Sequence, residues 1–154
     1  MENAMPVALG WRERVDLPGL GIHRLRAKID TGARSSCLHV ETSWRFRERG
    51  APWVGFRLWG PRIDGPCLDV AAEVIDERFV TDSGGHRGLR PFIRTRLFLA
   101  GIEREIELNL VDRHRMRFPM LLGRSAMQDA FTVDPSRSWL HNRPRACRAT
   151  EATP

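Results

Sequence analysis

The chain has 154 residues, of which 42% are hydrophobic and 29% charged, and this length and composition are typical of a single folded domain. No apolar run approaches the ~18 residues that a membrane-spanning helix needs. The start of the chain also lacks the basic and then apolar pattern of a secretion signal. We therefore expect a cytoplasmic protein with no membrane partner.

The charge is strongly basic, with 25 basic residues, 19 acidic residues and a net charge of +6. All the basic residues except Lys28 are arginine. A codon bias toward arginine explains this without any partner, whereas the functional interpretation is that guanidinium groups attract an acidic substrate. The arginines are spread along the chain and accompany no nucleic-acid recognition motif, so we do not expect nucleic acid as the partner.

The three cysteines, Cys37, Cys67 and Cys147, are odd in number and lack the close spacing of zinc ribbons or redox dithiols. Free thiols are the simplest interpretation.

Alternating apolar and polar residues predict strands with one buried face. Leu25, Ala27 and Ile29 alternate with basic residues, in a strand that ends at Asp30. A second pattern from Ile93 to Leu99 resumes from Ile106 to Leu110, which predicts a β-hairpin around Ala100-Gly101. Its exposed faces carry arginine on one strand and glutamate on the other, so cross-strand ion pairs are expected.

The remaining elements are short. Two further strands are predicted at Trp53 to Trp59 and Leu68 to Ile75, separated by a turn over residues 60–66, with a hairpin tip at Ser83 to His86 and one helix from Ser125 to Phe131 that Ser125 and Gln128 would cap. Residues 1–9 and 142–154 are expected to be flexible tails around a domain of residues 10–141. Many short strands and almost no helix predict an all-β barrel or sandwich.

The sharpest motif is Ile29-Asp30-Thr31-Gly32-Ala33, in which a strand runs into an aspartate, a hydroxyl residue and a glycine. Gly32 lets backbone amides approach the Asp30 carboxylate, and Thr31 can lock the turn through its hydroxyl. Taken alone, Asp-Thr-Gly is also an ordinary turn.

A second motif, Met120-Leu121-Leu122-Gly123-Arg124, leads directly into the helix. Together the two motifs resemble retropepsins, in which an Asp-Thr-Gly-Ala loop packs over a strand of two hydrophobic residues and a glycine. The resemblance extends over residues 10 to 140 to the ATP-dependent zinc protease family that is associated with the RimK glutamate ligase. It is carried by Gly10-Trp11-Arg12-Glu13, Ala27 to Arg34 with Ser36, Ser83-Gly84 with His86, Arg90-Pro91, Met120 to Arg124 and Val133-Asp134-Pro135. Gly88 stands where the family pattern has a glutamate.

The resemblance implies a pepsin/retropepsin-like closed β-barrel with one short C-terminal helix, and a peptidase that in some members acts on glutamate-rich tails. The residues that it assigns to the site fall into three sets. They are the catalytic Asp30, Thr31 and Gly32; the substrate-binding Ala33, Arg34, Ser83, Gly84 and His86; and the supporting Leu121, Leu122, Gly123 and Arg124.

The residues do not support the zinc and ATP in the family's name. The five histidines His23, His39, His86, His114 and His141 stand singly, and no His-Glu-x-x-His occurs. No Gly-x-x-x-x-Gly-Lys-Ser/Thr is present to bind phosphates. We expect neither a metal nor another cofactor.

An aspartic mechanism needs two carboxylates that share one proton. Asp82-Ser83-Gly84 is a superficial second candidate, but it lies where a retropepsin has its flap hairpin. We therefore expect a homodimer that places Asp30 of each subunit side by side. Arg34 and Arg124 could form ion pairs near the subunit boundary, or one of them could bind a glutamate side chain of the substrate.

The leading hypothesis is thus an aspartic endopeptidase for acidic or glutamate-rich polypeptides. The alternatives are a zinc-dependent peptidase on the same fold, a barrel that binds acidic peptides without cleaving them, and a nucleic-acid binder.

Overall fold

The structure is a computed structural model that describes residues 5–59, 66–112 and 117–141. Within these ranges it contains twelve β-strands, a 3-10 turn at Pro18–Leu20 and one α-helix. The elements are β1 (Val7–Leu9), β2 (Arg12–Leu17), β3 (Ile22–Ile29), β4 (Ser36–Val40), β5 (Thr42–Glu48), β6 (Ala51–Leu58), β7 (Leu68–Glu73), β8 (Asp76–Thr81), β9 (Arg87–Leu99), β10 (Ile102–Asp112), β11 (Met120–Leu122), α1 (Arg124–Met127) and β12 (Phe131–Val133).

The main sheet has the strand order β10-β4-β11-β3-β2-β9-β8. It closes on itself because β9 pairs with β10 as well as with β2, which leaves a six-stranded barrel with β8 extending β9 as a hairpin arm. Strands β5, β6 and β7 form a separate antiparallel sheet, and β1 pairs with β12 in parallel. The expected all-β closed barrel with one short helix is confirmed.

The barrel interior is filled by one apolar cluster. Leu25, Ala27 and Leu38 are completely buried in it, as are Leu97 and Leu108 from the opposite strands. Each fully buried aliphatic side chain of this size contributes about 1.5 to 3 kcal/mol relative to an exposed one. The period-two pattern of β3, β9 and β10 therefore gave their buried faces correctly.

The β9–β10 hairpin matches its prediction in turn and charge. Ala100 and Gly101 have φ angles of 55° and 79°, as a tight two-residue hairpin turn requires. Arg94 Nη2 lies 3.3 Å from Glu107 Oε2, and Arg96 forms an ion pair with Glu103. The predicted cross-strand ion pairs are confirmed.

The two other predicted strands are found as β6 and β7, and the segment Ser83 to His86 is the tip between β8 and β9. Cys37 is buried, with Arg90 Nη1 3.7 Å from its sulfur, and Cys67 is an exposed free thiol. Residues 60–65 of the turn predicted over 60–66 lie outside the described residues, as do Cys147 and the predicted tail over 142–154. None of the described helices is long and apolar enough to span a membrane.

Two predictions need correction. The helix is one turn, Arg124–Met127, and Phe131 already belongs to β12. The Ser125–Gln128 capping box is absent, since Gly123 is the N-cap and the Ser125 hydroxyl donates to the carbonyl of Arg34 at 2.9 Å. The segment expected as a flexible N-terminal tail contains β1, which pairs with β12 from Val7 to Leu9.

Candidate active site

The end of β3 carries Asp30 into a tight loop. Its amide donates to the carbonyl of Leu122 at 2.9 Å, so the pairing with β11 continues one residue past the strand. The Gly32 amide donates to Asp30 Oδ1 at 2.9 Å, and the Ala33 amide closes the turn on the Asp30 carbonyl at 3.3 Å. One carboxylate oxygen is thus oriented by the loop itself. Asp30 is half-buried, whereas Thr31 and Gly32 are exposed.

Gly123 is required where the loop crosses β11. Strand β11 lies between β3, to which it is parallel, and β4, to which it is antiparallel, so the connection from β3 to β4 passes over its end. A Cβ on Gly123 would come within 2.5 Å of the Ser35 carbonyl oxygen and 3.0 Å of the Arg34 carbonyl carbon. Only glycine fits this crossing without a backbone shift.

Hydrogen bonds from the start of α1 fasten the loop in place. The Arg124 amide donates to Ala33 O at 2.8 Å, and the Ser125 amide donates to Arg34 O at 3.1 Å. The Arg124 guanidinium donates to Thr31 O at 2.9 Å. The structure therefore brings the predicted catalytic segment, residues 30–34, against the predicted support, residues 121–124.

A chain of hydrogen-bonded polar groups, most of them buried, supports the loop from the barrel side. This chain of polar groups was not predicted from the sequence. The Gly123 amide donates to Ser36 Oγ at 3.0 Å, and Asn109 Nδ2 donates to Ser36 O at 3.0 Å. Arg90 Nη1, on β9, donates to Asn109 Oδ1 at 3.0 Å. Asn109 is a polar residue between the buried Leu108 and Leu110, which was the available signal.

The predicted flap residues lie at a separate place. Asp82 Oδ1 accepts hydrogen bonds from the amides of Gly84 and His86, both at 2.9 Å, so this carboxylate caps the hairpin tip. Ser83, Gly84 and His86 are exposed there. His86 lines a different groove from the one that Thr31 and Arg34 line, so the structure does not bring the predicted flap contact next to the Asp30 loop.

A groove of about 860 Å³ borders the Asp30 loop. Arg34 and Arg124 line this groove, and both are exposed. No carboxylate in the described ranges forms an ion pair with either of them. Its lining is Thr31, Arg34, Arg124, Ser125, Met127, Gln128, Phe131, Thr132 and Val133.

The described residues do not fit a zinc centre. No group of three or more His, Cys, Asp or Glu side chains in those ranges could hold a metal ion. His39 is buried with Nδ1 3.0 Å from the Phe118 carbonyl oxygen, and His141 Nε2 lies 2.6 Å from Ala8 O. His114 lies outside the described residues.

A protein-family model matches almost the whole domain. The model of the RimB-like family, described as "Retropepsin-like aspartic endopeptidase RimB", matches residues 8–144. A crystal structure of a protein of unknown function (DUF785) from Legionella pneumophila has the same fold, with a TM-score of 0.71 and 28% identity. It covers 90% of this chain and 100% of that one.

Similar curated proteins carry a different name. A "Probable alpha-L-glutamate ligase" from Desulfotalea psychrophila is 38% identical over 129 residues, and one from Shewanella pealeana is 36% identical over 132 residues. These matches cover 83% and 85% of this chain but only 28% and 29% of the two ligases. The chain thus spans less than a third of the length of these relatives.

Proposed function

The chain belongs to the RimB-like family of retropepsin-like aspartic endopeptidases, and from this membership we propose that it hydrolyses peptide bonds with Asp30 as its catalytic carboxylate. The observation that carries the proposal is the Asp30 loop, in which the Gly32 amide orients one carboxylate oxygen above the Gly123 crossing. A half-buried carboxylate held at a strand end by backbone groups suits acid–base chemistry better than a solvated turn does.

The proposed reaction uses two carboxylates that share one proton. The ionised one accepts a proton from water as the water oxygen attacks the scissile carbonyl carbon, and the protonated one donates its proton to the carbonyl oxygen. The resulting gem-diol collapses as the C–N bond breaks. As it does so, one gem-diol hydroxyl gives its proton to the ionised carboxylate and the leaving nitrogen takes the proton of the other carboxyl group, so the pair again shares one proton.

The second carboxylate comes, in this proposal, from Asp30 of a second copy. Asp82 is the alternative within the chain, but it caps the tip between β8 and β9 and does not line the groove beside the Asp30 loop. The exposed Thr31 and Gly32 present the loop outward, next to the groove whose lining includes Met127 and Phe131. A two-fold axis through this surface would place the two Asp30 loops side by side, as isologous contacts do.

We further propose an acidic or glutamate-rich polypeptide as substrate. The chain carries a net charge of +6, and cationic surfaces concentrate anionic partners. The relatives named as glutamate ligases contain a segment similar to this chain within a longer protein. A peptidase beside such a ligase would act on the glutamate-containing product, which supports this substrate class.

The exposed free thiol of Cys67 supports a cytoplasmic site of action, because reducing compartments keep such thiols free. Ser83, Gly84 and His86 are proposed as flap contacts to the substrate, and Ala33 and Arg34 as contacts beside Asp30.

The test is mass-spectrometric cleavage of acidic peptides between about pH 4 and 8 by wild type and Asp30→Asn, each with and without a chelator. Cleavage that is lost in Asp30→Asn and indifferent to chelator is the expected result. Cleavage that survives the substitution and stops with chelator would contradict the mechanism in favour of a metal peptidase. Tight binding of the peptides with no cleavage under any condition would favour a binding module instead.

A further inference from the structure

Strands β2 and β3 place four basic side chains opposite one another. Their antiparallel register pairs Arg12 with Lys28 and Arg14 with Arg26. The intervening residues of both strands, including Glu13 and Ala27, are buried, so the four basic side chains share the outer side of the sheet. We call this set, Arg12, Arg14, Arg26 and Lys28, the cationic face.

Like charges directly opposite each other destabilise a strand pair. The same protein avoids this arrangement in the β9–β10 hairpin, where Arg94 faces Glu107 and ion pairs form. Among the described residues, no carboxylate forms an ion pair with Arg12, Arg26 or Lys28. Arg12, Arg26 and Lys28 therefore lack the carboxylate partners that the hairpin arginines have, and an external anion would supply them.

Arg12 is held by aromatic rings. Its guanidinium carbon lies 4.5 Å from the centre of the Trp11 ring and 5.0 Å from that of Trp139. Stacking of this kind orients a guanidinium and lowers the entropy that it loses on binding a carboxylate. It also occupies the two tryptophan rings, which would otherwise be the platforms on which nucleic-acid bases stack.

The cationic face leads directly to the catalytic loop. Side chains alternate along a strand, so Arg26, Lys28 and Asp30 follow one another on one side, about 7 Å apart at each step. Lys28 is the register partner of Leu121 on β11, and Asp30 continues that pairing through its bond to Leu122 O. An extended peptide lying along β3 would repeat its own side chains at the same spacing.

We propose that the cationic face is an extended subsite that binds the carboxylate side chains of an acidic polypeptide on one side of the bond to be cleaved. The inference rests on the proposed function, because Asp30 defines where that bond lies. Arg26 and Lys28 are then specificity-determining residues, and the length of an acidic run governs affinity.

Binding is tested with the full chain carrying Asp30→Asn, so that the probe is not consumed. A fluorescein-labelled peptide of ten glutamates is titrated by anisotropy at low and moderate salt. Arg26→Ala with Lys28→Ala should weaken binding at least tenfold and flatten its salt dependence. The matched control, Arg94→Ala with Arg96→Ala, removes the same charge from another surface and should change binding less than twofold. Equal losses of affinity in the two double variants would overturn the proposal, because net charge alone would then account for the binding.

Folding is controlled by thermal unfolding of each variant. The Arg26→Ala, Lys28→Ala variant should unfold no lower than wild type, since it removes like-charge repulsion. Arg26→Gln with Lys28→Gln is the second variant and should show the same loss of affinity. An oligothymidylate probe is titrated in parallel. A larger loss for this probe than for the glutamate peptide would overturn the proposal in favour of a nucleic-acid surface.

Kinetics with active protein separate this inference from the proposed function. On a long acidic peptide, the Arg26→Ala, Lys28→Ala variant should raise KM about tenfold with little change in kcat, and on a short neutral peptide it should change neither. If wild type cleaves the long acidic peptide and the variant has the wild-type KM, the subsite proposal is wrong, whereas the proposed peptidase activity is unaffected. If binding of the glutamate peptide depends on Arg26 and Lys28 but wild type does not cleave it, the anion-binding surface is supported and the proposed peptidase activity is contradicted.

Discussion

The amide of Gly123 donates a hydrogen bond of 3.0 Å to the hydroxyl of Ser36, although the two residues lie far apart in the chain. This bond ties the end of β11 to the start of β4 directly beneath the Asp30 loop. Ser36 also accepts at its carbonyl from Asn109. The position of the Asp30 carboxylate therefore depends on glycine at residue 123 and on a chain of buried polar groups that includes Ser36 and Asn109.

Gly123→Ala should destabilise the protein and abolish peptide cleavage. The added methyl group would meet the Ser35 carbonyl oxygen at 2.5 Å, and overpacking against backbone costs about 1 to 3 kcal/mol or more. Urea unfolding midpoints measure the loss. Gly88→Ala is the control, because no atom lies within 4 Å of a Cβ there, and it should unfold within about 0.5 kcal/mol of wild type. Equal stability of the two variants would contradict the crowded crossing.

Asn109→Leu should lower both stability and kcat. It removes the side-chain donor to Ser36 O and the oxygen acceptor of Arg90 Nη1, which keeps only its weak contact with Cys37 Sγ at 3.7 Å among the described residues. Asn109 itself is 1% exposed, so water does not replace these partners. Unsatisfied buried polar groups cost about 1 to 3 kcal/mol each. Glu105→Gln, an exposed position on the same strand, is the control and should change neither quantity. Wild-type kcat in a folded Asn109→Leu would show that the polar chain does not position the loop.

Asp82 gives a direct comparison with Asp30. Asp82→Asn keeps an oxygen that can accept from the amides of Gly84 and His86, so it should retain most of the activity. Asp82→Ala removes the acceptor and should raise KM by loosening the hairpin tip. Steady-state kinetics of both variants test the assignment. If Asp82→Asn were as inactive as Asp30→Asn, Asp82 would be the second catalytic carboxylate.

Acid should weaken the attachment of the β8–β9 hairpin to the barrel. The Arg78 hydrogen bond lowers the pKa of Glu107, and Arg78 lowers the pKa of Asp76 as well. A lowered folded-state pKa means stability that is present above the unfolded value of about 4 and is lost as pH falls through the folded pKa. Arg78→Met should therefore lower the unfolding temperature at pH 7. Between pH 5 and pH 3 the unfolding temperature of this variant should fall by less than that of wild type.

The size of this effect is modest, because Arg78 and Glu107 are each more than one third exposed. Arg57→Met serves as a comparison, because it removes a partly exposed ion pair, the one with Asp69, from the separate β5–β6–β7 sheet. An Arg78→Met protein with the full wild-type acid sensitivity would contradict the ion-pair origin.

The sequence was most informative where one face of a strand is buried. Strands β3, β9 and β10 alternate clearly because their inner residues enter the core. Strand β5 was not predicted, since Trp44 and Phe46 alternate with arginines but neither face of the strand is fully buried. Its turn, at Arg49 and Gly50 with φ angles of 51° and 82°, lacks the usual asparagine or aspartate before the glycine.

The candidate site also had parts that the sequence predicted and parts that it did not. The Asp30 loop and its Gly123 support could be predicted, because each carries a local motif. Ser125 looked like a helix cap, but its hydroxyl donates to Arg34 O, a partner that only the folded chain brings near. The contact between Asn109 and Ser36 likewise depends on the pairing of β10 with β4, which no local pattern reveals.

The central claim is that catalysis uses Asp30 from two copies, and mixed dimers test it most directly. Wild type and Asp30→Asn are unfolded together, refolded at known ratios and assayed at constant total protein. Because only pairs with two aspartates should react, we expect activity to fall with the square of the wild-type fraction, to about one quarter at an equal mixture. Activity that falls in direct proportion to the wild-type fraction would contradict the claim, since each chain would then act alone.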